Sequence, residues 1–166
     1  MTHPAEALAQ QLGTAVIEQA RFRDEVTLVV ARENILEALE AARGAGFALL
    51  SDLTAVDRHP AQPRFEVVYL LTSFEPPARV RVKVRLPAGQ TTPSATPLWP
   101  AANWLEREVF DLFGIRFDGH PDLQRILLPD DWEGHPLRKD YPLVEEPVQF
   151  VGHTPKVPSQ IIPKSR

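Results

Sequence analysis

At 166 residues the chain has room for one compact domain and an extension, and 43% hydrophobic residues are enough for a real core. Eighteen Lys and Arg against 22 Asp and Glu give a net charge of −4, without the basic footprint of a nucleic-acid binder. Cysteine is absent, which excludes disulfides, thiol nucleophiles and the thiolates that iron–sulfur clusters need.

The N-terminus, MTHPAEALAQQLG, carries Glu6 and lacks the basic start and apolar run of a secretory signal. Nowhere do 18 apolar residues follow one another, so no membrane-spanning helix is expected. Ala5, Leu8 and Leu12 recur at helical spacing before Gly13. Strand-like runs follow at Ala15–Ala20 and Glu25–Ala31. The next helix, Glu33–Arg43, sets Ile35, Leu36, Leu39 and Ala42 on one stripe, with Gly44 to end it. Three further strands are predicted at Phe47–Val56, Arg64–Phe74 and Arg79–Leu86. The last alternates without error from Arg79 to Leu86, the pattern of a sheet with one buried face.

The order α-β-β-α-β-β-β predicts an α+β fold, a mostly antiparallel sheet with helices on one side, followed by a proline-rich extended C-terminal segment. Residues 87–100, PAGQTTPSATPLWP, form a connector. A helix from Ala102 to Phe113 follows, with Leu105, Val109, Leu112 and Phe113 on its apolar stripe and Gly114 at its end. The expected division is 1–86 for the domain, 87–118 for the connector and this helix, and 119–166 for an extended tail that wraps a partner.

From Gly119 onward there are eight prolines and no sustained periodicity, with only a helical turn near Asp122–Leu127. The segment is nevertheless rich in Leu, Ile, Val, Trp, Tyr and Phe, unlike a disordered tail. Apolar groups on an extended chain bury one another poorly, so they need a surface. Another protein is the favoured one.

The candidate chemistry is thin. Gly44-Ala45-Gly46 follows a helix and precedes a strand, the reverse of a dinucleotide fingerprint, and no P-loop occurs. Ser51, Ser73 and Ser94 lack the glycine setting of a nucleophile elbow. His120 and His135 stand in Gly-His-Pro triplets near several acids, which makes a small metal-dependent enzyme the alternative of another class. Fifteen residues and two loops separate them, however, without the close ligand pairs of known sites. The favoured reading is that each imidazole serves loop backbone.

Arg107 and Asp111 stand four apart on the helix and are expected to pair on its solvated face. Asp111 lies in the last turn, where the dipole disfavours an acid, so a cation should offset it, from Arg107, Arg116 or Arg125. The stripe Arg79, Arg81, Lys83 and Arg85 reads as a solvated outer sheet face. Arg138, inside the proline-bracketed run Pro136–Pro142, has the fork to clamp a carboxylate.

The stretch Trp104–Leu143, WLEREVFDLFGIRFDGHPDLQRILLPDDWEGHPLRKDYPL, resembles the signature region of the 30 kDa subunit family of NADH-quinone oxidoreductase, respiratory complex I. The likeness runs through Glu106, Arg107, Glu108, Asp111, Gly114, His120, Pro121, Arg125, His135, Arg138, Lys139, Asp140, Tyr141 and Pro142. It departs at Gln124, where the family usually has a basic residue or proline.

The resemblance implies a non-catalytic subunit of the peripheral arm, on the cytoplasmic side of the membrane in bacteria and attached to it only through the complex. Flavin and iron–sulfur clusters would belong to partner subunits, with no cofactor in this chain. The chief partner would be the quinone-site subunit. The same subunit type occurs in related membrane-bound hydrogenase complexes, which is the nearer alternative.

Overall fold

A computed structural model describes residues 4–142 apart from residue 24. The final part of the expected wrapping tail, with Leu143, Val148, Phe150 and Val151, lies outside the described residues.

The elements follow the predicted order: α1 (Pro4–Leu12), β1 (Val16–Phe22), β2 (Glu25–Val30), α2 (Ile35–Gly44), β3 (Leu49–Asp57), β4 (Phe65–Phe74) and β5 (Pro77–Leu86). After the connector come β6 (Thr92–Pro93), α3 (Ala102–Phe113) and β7 (Phe117–Asp118). A single 3-10 turn, Arg32–Asn34, leads into α2, which therefore starts two residues later than its periodicity implies.

Five strands form the main sheet in the order β1-β2-β5-β4-β3. Every pairing in it is antiparallel except β2 with β5, where Val26 lies beside Val80 and Val30 beside Val84. The exception follows from chain direction. Helix α2 carries the chain across the sheet to the far edge, and the β3-β4-β5 meander then returns a strand beside β2 in the same sense as β2.

One face of this sheet is apolar. Val80, Val82, Val84 and Leu86 of β5 join Phe65, Val67, Tyr69 and Leu71 of β4 in the core. Leu8 of α1, Ile35 and Leu39 of α2, and Val109 and Phe113 of α3 pack onto that same core. Ala95, Trp99, Ile115 and Phe117 belong to it too, so the core is continuous across the connector.

The opposite face carries the polar residues of β5, as its alternation requires, beside Val29 and Val68. Its basic stripe is more than a solvated surface. Glu66 takes Lys83 at 2.6 Å and Arg85 at 3.2 Å, Arg85 also reaches Glu18, and Arg81 pairs with Glu25. Arg79 alone of the four is exposed. Burial pushes the Glu66 carboxyl up, and its two cations outweigh that and hold it below its usual range.

Candidate functional site

Helix α3 is the frame of the site. Its C-terminus leaves four carbonyls without helical partners, and each must be met elsewhere. The Phe110 carbonyl accepts the Gly114 N–H at 2.8 Å, made possible by the left-handed conformation of Gly114 (φ +72°). The other three are met by the segment 119–142, which turns back along the helix as a strap. Asp111 O accepts from His135 Nδ1 at 2.8 Å, Leu112 O from the Leu137 N–H at 3.1 Å, and Phe113 O from Arg138 Nε at 2.6 Å.

This corrects two sequence expectations. Arg138 clamps no carboxylate among the described residues; it closes the helix end, with its guanidinium 5.5 Å above the Phe65 ring. The helical turn near Asp122–Leu127 does not form, because the backbone donors a turn would use go to Asp111 instead.

Asp111 is fully buried. Its Oδ2 accepts the N–H groups of Ile126, Leu127 and Leu128 at 3.0, 2.8 and 2.9 Å, and its Oδ1 receives Arg125 at 2.8 Å. Burial pushes this carboxyl up. The three N–H groups and the guanidinium outweigh burial and hold it below the usual carboxylate range. The expected Arg107–Asp111 pair on a solvated face is therefore wrong in partner and in exposure. Arg125 is the cation that the helix end required. Arg107 lies over the Trp104 ring and donates to the carbonyls of Gln124 and Arg125 at 3.1 and 3.0 Å. Since residue 124 contributes its backbone here, the departure from the family pattern at Gln124 costs this contact nothing.

A second buried carboxylate fastens the far end of the strap. Asp57, at the end of β3, receives both Nε and Nη2 of Arg64, at 3.1 and 2.8 Å, and the Lys139 N–H at 2.9 Å. Arg64 also holds Asp140 at 2.6 Å. The Arg64 guanidinium keeps Asp57 well below the usual carboxylate range, against burial. Neither Asp57 nor Arg64 was singled out from the sequence. A signal existed: Asp57 continues the inward register of Leu53 and Ala55, so alternation alone turns a carboxylate toward the core.

The remaining signature residues divide by exposure. Glu106 is fully buried on α3, where its Oε2 lies 2.7 Å from Ser94 Oγ and its Oε1 accepts the Ala95 N–H at 2.6 Å. Glu108, Pro121, Lys139 and Pro142 are exposed. Tyr141 donates to Glu133 O at 3.2 Å, and its ring occupies the space a side chain at Gly134 would need.

The two histidines stand at opposite ends of α3. His120 donates from Nε2 to Asn103 O at 3.1 Å and accepts the Asp122 N–H on Nδ1 at 3.0 Å. His135 is bound at Asp111 O, eight residues further along, about 12 Å by helical rise. Both imidazoles thus serve backbone groups, and the described residues contain no group of three His, Cys, Asp or Glu placed to hold a metal.

The arrangement fastens an extended segment onto a helix. Several large apolar side chains of that assembly are exposed among charged ones. Trp104 and Leu127 are each 60% exposed, and Ile126, Trp132 and Leu137 are each more than a third exposed. Among the described residues no helix is long and apolar enough to cross a membrane.

Comparison with known proteins shows the family. Residues 28–147 match the family model of the respiratory-chain NADH dehydrogenase 30 Kd subunit. An NADH-quinone oxidoreductase subunit of Citrifermentans bemidjiense is 49% identical over 138 residues, 82% of this chain and 86% of that protein. The corresponding Roseiflexus protein is 46% identical over 149 residues, 87% of this chain and 86% of that one.

Among solved structures, a trypsin-resistant fragment of Nqo5 superposes with a TM-score of 0.66 at 34% identity, covering 72% of this chain and 99% of the fragment. A chain of an archaeal respiratory membrane complex, the membrane-bound sulfane sulfur reductase, gives 0.74 at 27% identity and covers 84% of each chain. The chain belongs to the 30 kDa subunit family of the respiratory-chain NADH dehydrogenase.

Proposed function

We propose that this chain is a structural subunit in the peripheral arm of a proton-pumping NADH-quinone oxidoreductase, on the cytoplasmic side of the membrane. In this reading it binds no flavin, cluster or quinone itself. Electrons pass from NADH to quinone through partner subunits, and this chain docks the subunit that forms the quinone site. One observation carries the proposal: the signature stretch folds into a strap anchored on the buried Asp111, and it leaves several large apolar side chains exposed. A monomeric protein gains nothing from displaying Trp104, Leu127 and Leu137 on a rigid backing, whereas a docked subunit does.

The test is an affinity pull-down of the tagged full chain from its native membranes, with identification of what accompanies it. Flavin, iron–sulfur and quinone-site subunits in fixed stoichiometry are expected. Recovery of the chain alone would defeat the proposal.

A second reading has a specific observation behind it, the likeness to the archaeal membrane complex. That neighbour is a sulfane sulfur reductase, which favours placing the chain in a related membrane-bound oxidoreductase, such as one of hydrogenase type, rather than in an NADH-linked one. Co-purification of hydrogenase-like subunits without an NADH-binding subunit would select it.

A further inference from the structure

Glu106 takes no part in holding the strap. It lies on the core stripe of α3 with Ala102, Val109 and Phe113, fully buried. A carboxyl in such a place needs a cation or a proton, because an isolated carboxylate is far costlier to bury than a neutral acid. Every other buried carboxylate on the elements around it has its cation. Asp57 of β3 has Arg64, Glu66 of β4 has Lys83 and Arg85, and Asp111 of α3 has Arg125. Glu106 has no ion pair among the described residues. The connector packed over it, residues 87–101, contains no titratable side chain at all. The titratable group beside it is the Tyr69 phenol of β4, buried and held neutral, with the Thr92 hydroxyl as its neighbour.

What reaches Glu106 is a chain of hydroxyls. Oε1 already accepts the Ala95 N–H, so Oε2 is the oxygen free to carry a proton. It lies 2.7 Å from Ser94 Oγ, which lies 2.8 Å from Thr96 Oγ1 and accepts the Thr96 N–H at 3.1 Å. Ser94 is buried, while Thr96 is half-buried at the surface of the connector.

We propose that Glu106 is an exchangeable proton-binding site, loaded and emptied through the Ser94 and Thr96 hydroxyls. In the acid form Oε2–H donates to Ser94, Ser94 donates to Thr96, and Thr96 donates to solvent. On ionisation the Thr96 proton passes to water, the Ser94 proton to Thr96 and the Glu106 proton to Ser94. Each hydroxyl keeps one proton and one leaves as hydronium. Afterwards Thr96 donates to Ser94 and Ser94 to the carboxylate, so the chain satisfies its donors in both forms. Burial pushes the carboxyl up to about 7, against the Ser94 and Ala95 bonds, which sets both forms near neutrality. The signature helix thereby grips its connector differently according to proton occupancy.

The experiment is infrared spectroscopy of the full chain, following the C=O band of protonated carboxylic acid across pH. A band titrating near pH 7 and missing in Glu106→Gln is expected. A Glu106 titration at about 4.3, the ordinary glutamate value, would overturn the site. Three further variants read the hydroxyl chain and do not require the Gln variant to fold. Ser94→Ala removes a donor to the carboxylate and raises the midpoint. Thr96→Val strands the Ser94 hydroxyl proton in the acid form and lowers it, and Thr96→Ser restores it. Shifts of the same sign in the Ala and Val variants would refute the relay, since general loosening of the connector moves both alike.

Discussion

Substitution of Asp111 is the sharpest perturbation of the strap. Its Oδ2 serves three consecutive backbone N–H groups and its Oδ1 serves Arg125. Asp111→Asn keeps the volume. With the amide oxygen placed at the three N–H groups, its NH2 faces the Arg125 guanidinium, donor against donor. Breaking a buried pair costs about 3–5 kcal/mol when everything is lost. Here three bonds survive, and Arg125 keeps its contact with Gly134 O at 3.2 Å and some solvent. The Asn variant should therefore lose about 2–3 kcal/mol.

Asp111→Ala forfeits all four bonds and falls in the full range of about 3–5 kcal/mol, roughly a fifth or more of a typical domain's stability. Urea unfolding at pH 7 reads this directly. At a slope of about 2 kcal/mol per molar, a loss of 3 kcal/mol lowers the midpoint by about 1.5 M. Amide exchange at residues 126–128 should accelerate ahead of the sheet, because the strap opens first. A midpoint shift under about 0.3 M in the Ala variant, with those amides still protected, would refute the anchoring role.

Other consequences are open to simple measurement. Arg64→Met should cost about 3–5 kcal/mol in urea unfolding because Asp57 is left buried and charged, while Asp140→Asn, at the exposed end of the same cluster, should change the midpoint little. Gly114→Ala adds a Cβ that runs into His135 and Arg138 at a φ of +72°, and should cost about 2–3 kcal/mol in the same assay. Asp57 and Asp111 both have lowered pKa values, so their stabilisation is complete above the unfolded aspartate value near 3.9 and drains as pH falls below it. Circular dichroism should accordingly show the protein losing stability from about pH 4 downward. Leu127→Glu should leave the urea midpoint unchanged while reducing recovery of partner subunits in the pull-down. Full recovery would remove the strap's outer surface from the docking reading.

Much of the fold is visible in local pattern. Alternation from Arg79 to Leu86 is a strand in the structure, and the helix expected at Ala102–Phe113 has those bounds, closed by a left-handed Gly114. The parallel pairing of β2 with β5 left no local trace, since it joins strands some fifty residues apart and depends on where α2 delivers the chain. The site was harder to see for another reason. Helical stripes are read by assigning polar residues to solvent, and that rule fails at Glu106 and Asp111, whose polarity is met by segments before and after the helix. The removal of residues 119–166 illustrates the difference. The sequence implies that a folded domain would remain, but such a truncation strips Asp111 and three helix carbonyls of their partners and takes the Lys139 N–H from Asp57, so a cut after Pro142 is the cleaner test of the tail.

The closed end of α3 also bears on how assembly is timed. Fixing a backbone residue costs about 1–2 kcal/mol of entropy, and for an extended peptide that binds a partner this weakens affinity directly. The strap meets that cost during folding, against its own helix, before any neighbour arrives. A chain that has not yet seated Asp111 and His135 has no ordered outer surface to offer. On the proposed docking role, completion of the fold and competence to dock would be a single event, which would bar half-folded copies from the growing complex.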